Sequence, residues 1–170
     1  APSANRFGRI SPTTAAAVVS ELGDRIGMVL DGGASSVGVE STVIAIANDG
    51  TLTPLRPGGI SVEAIEATAS VRLTRTEVIA TPGVPAASPG TSRVHYAPRT
   101  PLHILPGPDA LPRGATCVGL IGVFTDPEET ARVKAEIERR YGVPVVLRAL
   151  TERGDLEEAA RNLFTSLREL

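Results

Sequence analysis

The chain has 170 residues, enough for one large domain or two small ones, and its 42% hydrophobic and 21% charged residues are typical of a globular protein. A formal net charge of -2 excludes a chain-wide electrostatic attraction to nucleic acid, and 3% aromatic residues leave the core to aliphatic side chains. Cys117 is the only cysteine, which excludes a disulfide within the chain and predicts a reducing, cytoplasmic compartment. It lies in an apolar run and is predicted to be a buried small hydrophobe. No apolar run has the length of a membrane span, so no membrane partner is expected.

The chain begins with a polar stretch that leads into a predicted helix. Ser3 and Asn5 are two residues apart, and Gly8 permits a turn between them and the helix. Ser11 is predicted to be the helix N-cap, with Pro12 at the first helical position. Such a turn suits an anion, although an ordinary loop is the commoner explanation of this pattern alone. Because no strand precedes it and no initiator methionine is present, we expect the chain to be a piece of a longer protein.

The first half of the chain predicts a mixed α/β domain. A helix over 13–22 is expected to bury Ala16, Val19 and Leu22. Strands are predicted over 43–47 and 51–55 around the turn formed by Asn48, Asp49 and Gly50. Ser61 is predicted to cap a helix over 62–69. Shorter apolar runs predict further strands at 26–30, 71–73 and 78–80.

The second half predicts a linker and a parallel unit. Five prolines between 81 and 101 indicate a linker, and its Arg93, His95 and Tyr96 suggest that it docks on another part of the protein. Strands are predicted at 102–105, 116–122 and 145–147, with His103 in a structural position on the first. Asp126 and Asp155 are predicted to cap two helices, the second of which has an apolar face formed by Leu156, Ala160, Leu163, Phe164, Leu167 and Leu170. This alternation predicts a small Rossmann-like parallel α/β domain, and three strands are so few that truncation is expected at this end too.

Four polar clusters are candidates for chemistry, since the sequence has neither a GxGxxG motif, nor a P-loop, nor a Cys or His pair at metal-ligand spacing. Each cluster alone has an ordinary explanation as a loop or a strand end. Together they fall at strand ends of one α/β half, where such proteins bind ligands, and their arginine and hydroxyls suit a nucleotide or another anion. The clusters are Ser3 and Asn5 with Ser11, then Ser35 with Ser36, then Glu40 with Ser41 and Thr42, and finally Arg56.

Five motifs in this order resemble the L-threonylcarbamoyl-AMP synthase family in its long, two-domain form. They are APSAN with SPT, DGG, GVESTV, LRPG, and SPGT with HYAP, and they run from the first residue to about 101. The HYAP linker followed by a Rossmann-like unit separates this resemblance from the hydrogenase-maturation carbamoyltransferases, which carry the same YrdC-like domain in another context. The resemblance implies the C-terminal half of a mixed-sheet YrdC-like α/β domain over 1–80, a linker over 81–100 that folds over the active site, and a Rossmann-like domain over 101–170.

The resemblance also implies a reaction and a set of residues. The family forms threonylcarbamoyl-AMP and pyrophosphate from ATP, L-threonine and bicarbonate, for threonylcarbamoyladenosine modification of tRNA, which makes the expected activity that of a cytoplasmic nucleotidyltransferase. Magnesium is expected only with the ATP, held by phosphates and water, and no protein metal ligand or certain catalytic residue is assigned. The product is expected to pass to the tRNA threonylcarbamoyl-transfer machinery. The implied ATP-binding residues are Ser3, Asn5, Ser11, Arg56, His95 and Tyr96, and the implied threonine-binding residues are Ser41 and Thr42.

The sequence departs from the family in one respect, because the Lys-x-Arg pair of the YrdC-like domain is absent. Lys134 is the only lysine, and it lies in the second domain. This chain alone is therefore expected not to make threonylcarbamoyl-AMP. Two alternatives remain at this point: a non-catalytic RNA- or nucleotide-binding module with a YrdC-like fold, or a regulatory Rossmann-like domain that binds a nucleotide at the helix capped by Asp126.

Overall fold

The computed structural model describes residues 3–74, 96–103 and 114–170. The chain divides into two compact units, Ala1–Ala97 and Pro98–Leu170, and each is described by itself. The predicted strand at 78–80, the linker residues Arg93 and His95, and the second half of the strand predicted at 102–105 lie outside the described residues. Within the described ranges, no helix is both long and apolar enough to cross a membrane.

The sheet described in the first unit is a two-stranded antiparallel hairpin. Its strands are β1 (Val43–Ile46) and β2 (Leu52–Arg56), which confirms the predicted pair. The Gly50 amide donates to the Ala47 carbonyl at 2.9 Å, and the φ of +84° at Gly50 is one that glycine adopts without strain. The register pairs Val43 with Arg56, with an irregularity just after Val43. The end of β2 therefore lies beside the residues that precede β1.

Two short helices precede and follow this hairpin in the sequence, and the sequence predicted the cap of only one of them correctly. Helix α2 (Val62–Ala69) begins after Ser61, whose hydroxyl accepts from the Ala64 amide at 3.1 Å, as predicted. Helix α1 (Ala15–Leu22) begins later than expected, and the predicted Ser11 cap is wrong. Thr14 is the N-cap, because its backbone is extended and its hydroxyl accepts from the Ala17 amide at 3.2 Å.

The predicted buried face of α1 is also wrong. Val19 is 54% exposed and Ala16 is exposed, whereas Glu21 is buried. Arg6 donates from Nε to the Glu21 carbonyl at 3.2 Å, so the polar first loop contacts the end of this helix. A helix of eight residues presents only two turns, and an apolar period over so short a span does not decide which side faces the unit.

Two predicted strands are absent from the described part of the first unit. Residues 26–30 form no strand, and Met28 and Leu30 are 76% and 87% exposed. Residues 71–73 form none either; the Leu73 amide donates to the Glu66 carboxylate at 2.8 Å, and the following Thr74 amide donates to the Leu52 carbonyl of β2 at 2.9 Å. Ile10 and Leu73 are the buried apolar side chains described in this unit, at 3% and 6% exposure.

The second unit contains a parallel strand pair joined by a helix, as the sequence predicts. Strands β3 (Val118–Val123) and β4 (Val145–Thr151) are parallel, and α3 (Pro127–Tyr141) connects them. Asp126 caps α3 by accepting from the Glu128 and Glu129 amides at 2.8 and 3.3 Å. Buried side chains of Val118, Ile137 and Val145 form the core between this helix and the sheet.

Helix α4 (Leu156–Glu169) packs on the same sheet, but three predictions for this unit are wrong. Ala159 and Phe164 are buried, whereas Leu156, predicted on the apolar face, is 76% exposed because it begins the helix. Cys117 is exposed rather than buried, since it immediately precedes β3, where the side chain of Val118 is the one directed into the core. His103 is exposed and outside any strand.

Candidate active site

Arg56, at the end of β2, is the centre of a polar cluster in the first unit. Its Nε and Nη2 donate to the Ser41 carbonyl at 3.0 and 2.9 Å, and Nη2 also lies 3.1 Å from the Ser41 hydroxyl. Because Arg56 pairs with Val43 at the open end of the hairpin, it lies close to Ser41, which is two residues before Val43. Only 11% of the arginine side chain is exposed, so its charge acts where water screens it weakly.

The segment carrying Ser41 lies directly against the loop that follows β2. A Cβ at Gly58 would meet the Ser41 carbonyl carbon and the Thr42 amide nitrogen at 2.3 Å, so glycine is required there. The Gly59 amide donates to the Glu40 carbonyl at 2.9 Å. The Thr42 hydroxyl donates to the Ile60 carbonyl and accepts from its amide. These backbone contacts hold Ser41 in place beside the arginine.

Glu40 connects the first loop of the chain to this cluster. Its Oε1 accepts a hydrogen bond from the Ser11 hydroxyl, and its Oε2 lies 3.9 Å from Nη2 of Arg56. Ser11 is 7% exposed and the Glu40 side chain 23% exposed. Ser11 is therefore linked to the cluster by its hydrogen bond to the Glu40 carboxylate, and it is not the helix cap that the sequence predicts.

Tyr96 completes the cluster from a distant part of the sequence. Its hydroxyl lies 3.3 Å from Nη1 of Arg56, and its backbone has a φ of +53°. The next residue, Ala97, donates its amide to the Gly8 carbonyl at 2.8 Å and forms an isolated bridge with Arg9. Burial raises the pKa of the Tyr96 phenol, while the Arg56 guanidinium acts in the opposite direction. The phenol is thus a neutral donor and acceptor at physiological pH.

The structure brings four of the eight predicted site residues together, while three others make different contacts or lie at the surface and one lies outside the described residues. Asn5 donates from Nδ2 to the carbonyls of Arg6 and Arg9 at 3.0 and 2.9 Å, so its amide organises the turn. Its Oδ1 is buried and has no hydrogen-bond partner among the described residues. Ser3 is exposed, Thr42 is engaged with Ile60, and His95 lies outside the described residues. The four that meet are Ser11, Ser41, Arg56 and Tyr96.

The sequence reasoning missed two residues that shape the cluster. The sequence pattern groups Glu40 with Ser41 and Thr42 but assigns it no site role, and it gives Gly58 no role beyond the LRPG motif. The available signal for Glu40 is its position next to Ser41, just before the predicted hairpin that ends at Arg56, because the two ends of a hairpin lie side by side. Within the described ranges, no group of three His, Cys, Asp or Glu side chains could hold a metal ion. A guanidinium beside hydroxyls and a phenol suits a ligand with anionic oxygens.

The fold and this cluster define a class of protein: an α/β protein with an arginine-centred site on a hairpin, followed by a second unit with a parallel sheet. Two family models match the chain, one described as "Threonylcarbamoyl-AMP synthase, C-terminal domain" over residues 60–170 and one described as "Telomere recombination" over residues 1–58. The chain belongs to the threonylcarbamoyl-AMP synthase family.

Relatives with this name occur in bacteria and archaea. The chain is 35% identical to the threonylcarbamoyl-AMP synthase of Bacillus subtilis over 99% of its own length, and 36% identical to that of Pyrococcus abyssi over 100%. It spans 47% and 48% of the length of these two proteins. Its structure resembles the crystal structure of P. abyssi Sua5 complexed with L-threonine, with a TM-score of 0.60 and 28% identity over 99% of this chain and 47% of that one.

Proposed function

We propose that the complete protein containing this chain is a threonylcarbamoyl-AMP synthase that uses ATP, L-threonine and bicarbonate. The observation that carries the proposal is the fixed Arg56 guanidinium, held against Ser41 and within reach of Tyr96, in a chain of this family. A preorganised guanidinium favours an anionic group over water because its orientation is set before the ligand arrives.

ATP is proposed to bind on the side of the cluster formed by the first loop and Tyr96. Arg56 would neutralise phosphate charge, and the Ser11 hydroxyl, which donates its hydrogen to Glu40, would lie near the same phosphates and accept from the nucleotide or its hydration shell. The buried Oδ1 of Asn5 lacks a donor in the described part of the chain, and a nucleotide hydroxyl or amino group is the kind of donor that it could accept from. The full set proposed for ATP is Ser3, Asn5, Ser11, Arg56, His95 and Tyr96.

L-threonine is proposed to bind beside Ser41. Support comes from the P. abyssi relative, whose crystal structure is described as a complex with L-threonine. The Ser41 hydroxyl lies on the exposed side of the Arg56 contact and can donate to a carboxylate. The Thr42 hydroxyl is already bonded to Ile60, so its part in threonine binding would be to fix the backbone of Ser41 rather than to contact the ligand through oxygen.

The proposed chemistry has two steps. The threonine amine and bicarbonate condense to a carbamate with loss of water, and a carbamate oxygen then bonds to the α-phosphorus of ATP as the bond to the pyrophosphate oxygen breaks. Magnesium would enter with ATP and balance the charge of the departing pyrophosphate. The Tyr96 side of the cluster, with His95, would exclude water from the labile carbamate. The proposed setting is the cytoplasm, and the product would pass to the tRNA threonylcarbamoyl-transfer machinery.

The 170-residue chain by itself is proposed to be inactive, since it lacks the Lys-x-Arg pair of the family. The test measures pyrophosphate release and threonylcarbamoyl-AMP formation by the complete protein and by this chain. We expect product from the complete protein only when ATP, threonine and bicarbonate are all present. Turnover by the isolated chain would refute its inactivity, and salt-dependent tRNA binding without ATP binding or turnover would favour the RNA-binding alternative instead.

A further inference from the structure

Glu40 is the acidic residue of the Arg56 cluster, and it stands between two groups that are otherwise far apart in sequence. Ser11 hydrogen-bonds to one carboxylate oxygen, and Arg56 lies 3.9 Å from the other. A carboxylate beside an arginine that is proposed to bind phosphate would weaken phosphate binding if charge were its only effect. Its contacts with Ser11 and Arg56 point to an effect other than charge.

The side chain of Glu40 is not required to hold its own loop. The backbone of that loop is fixed by the Gly59 amide, which donates to the Glu40 carbonyl at 2.9 Å, and by the paired contacts between Thr42 and Ile60. The carboxylate is directed instead to the functional groups of Ser11 and Arg56, and it contributes to the electrostatic environment of Tyr96.

We propose that Glu40 is a positioning residue, which acts through Arg56 and Ser11. One oxygen orients the Ser11 hydroxyl, and the other restrains the Arg56 fork so that Nε and Nη2 stay on the Ser41 carbonyl and Nη1 stays near Tyr96. Such an ion pair weakens the attraction of the arginine for an anionic ligand, but it also holds the guanidinium in one geometry. The guanidinium then loses less entropy when the ligand binds. The inference rests on the proposed function for its kinetic consequence, although the restraint itself is a property of the protein without ligand.

The kinetic test is a double-mutant cycle in the complete protein. Glu40→Gln keeps the length and an oxygen that can accept from Ser11, but it removes the charge that restrains Arg56. We expect E40Q to lower kcat/KM by about tenfold, R56K to lower it at least as much, and the double variant to match R56K within about twofold, because both changes act on one restraint. Multiplicative effects, or an E40Q enzyme with unchanged kcat/KM, would overturn the proposal. The control is Glu152→Gln, an exposed carboxylate of the second unit, for which no change is expected.

A second measurement separates this proposal from the proposed function. The Nε–H resonance of Arg56, identified by its loss in R56K, reports the hydrogen bond to the Ser41 carbonyl whether or not the protein turns over. We expect a slowly exchanging signal in the wild-type protein and in E152Q, and a rapidly exchanging one in E40Q. An Nε–H equally protected in E40Q overturns the role of Glu40. An inactive wild-type protein with the expected resonances overturns the synthase assignment alone.

Discussion

Two nitrogens of the Arg56 guanidinium donate to the Ser41 carbonyl at 3.0 and 2.9 Å, and one of them also lies 3.1 Å from the Ser41 hydroxyl. The two residues are separated by a complete hairpin in the sequence, and the register of that hairpin brings them together. A side chain fixed in this way presents its charge in a defined direction.

Replacing Arg56 with lysine keeps the positive charge and tests the paired Nε and Nη2 hydrogen bonds, which form the fork of the guanidinium. An ammonium is a single point of charge and cannot make the Nε and Nη2 contacts together. We expect R56K in the complete protein to lower kcat/KM by roughly tenfold to a hundredfold, as expected for lost hydrogen bonds of a charged group. Pyrophosphate release provides the measurement. Arg132→Lys, on the exposed side of α3, is the matched control, and an R56K enzyme as active as R132K would show that the fork has no role.

Adding one methyl group at Gly58 should disturb the site through the backbone. The new Cβ would lie 2.3 Å from backbone atoms of Ser41 and Thr42, which cannot move aside as a flexible side chain can. We expect Gly58→Ala to reduce the free energy of unfolding by about 1–3 kcal/mol and to reduce ATP binding with it. Gly32→Ala is the control, because no atom lies within 4 Å of its Cβ position. Chemical denaturation and ligand titration of both variants measure the effect, and equal stability of the two would contradict the close approach.

Removing the Tyr96 hydroxyl isolates its contact with Arg56. Phenylalanine keeps the ring but loses the oxygen that lies 3.3 Å from Nη1. This distance is at the long end for a hydrogen bond, so we expect a modest effect, with KM for ATP raised about threefold to tenfold in the complete protein. The thermal midpoint should stay close to that of the wild-type protein. A KM identical to that of the wild-type protein would remove Tyr96 from the proposed ATP site.

The two ends of the apolar pattern on α4 should respond differently to truncation. Phe164 is 6% exposed and Leu156 is 76% exposed, although the sequence places both on one apolar face. We expect Phe164→Ala to cost about 3–5 kcal/mol in the free energy of unfolding and Leu156→Ala to stay within about 0.5 kcal/mol of the wild-type value. Urea denaturation of both variants measures the difference. Equal losses would place Leu156 in the core after all.

Asp155 should give the protein an acid-sensitive component of stability. Hydrogen bonds from the backbone amides of Glu158 and Glu157 lower the pKa of this carboxyl below its usual value of 3.8 in the folded state. A lowered pKa means that the folded state binds the proton less tightly, so the stabilisation is present above the unfolded pKa and is lost as pH falls through the folded pKa. We expect the wild-type chain to exceed Asp155→Asn in stability near pH 7, with the difference shrinking below 3.8. Denaturation midpoints across the acid range test this, and a pH-independent difference would contradict it.

Some features of this chain follow from sequence alone because local chemistry determines them. Ser61, Asp126 and Asp155 cap the helices that follow them, since a side-chain oxygen reaching an amide two or three residues away needs no distant partner. The turn at Asn48, Asp49 and Gly50 determines the hairpin for the same reason. The motif order indicated the family, which the family models and relatives confirm.

Other features depended on partners far away in the chain. Residues 26–30 have a strand-like composition, yet a strand requires a neighbouring backbone, and they form no strand. The sequence pattern predicts Ser11 as a helix cap, but its hydroxyl donates to Glu40, which is distant in sequence. The sequence by itself determined which residues are charged, which form the hairpin turn and which cap helices. The tertiary structure alone decided that Ser11, Glu40, Ser41, Arg56 and Tyr96 meet, because Ser11 and Tyr96 reach the end of the hairpin from distant segments, and contacts over such distances in sequence have no local signature.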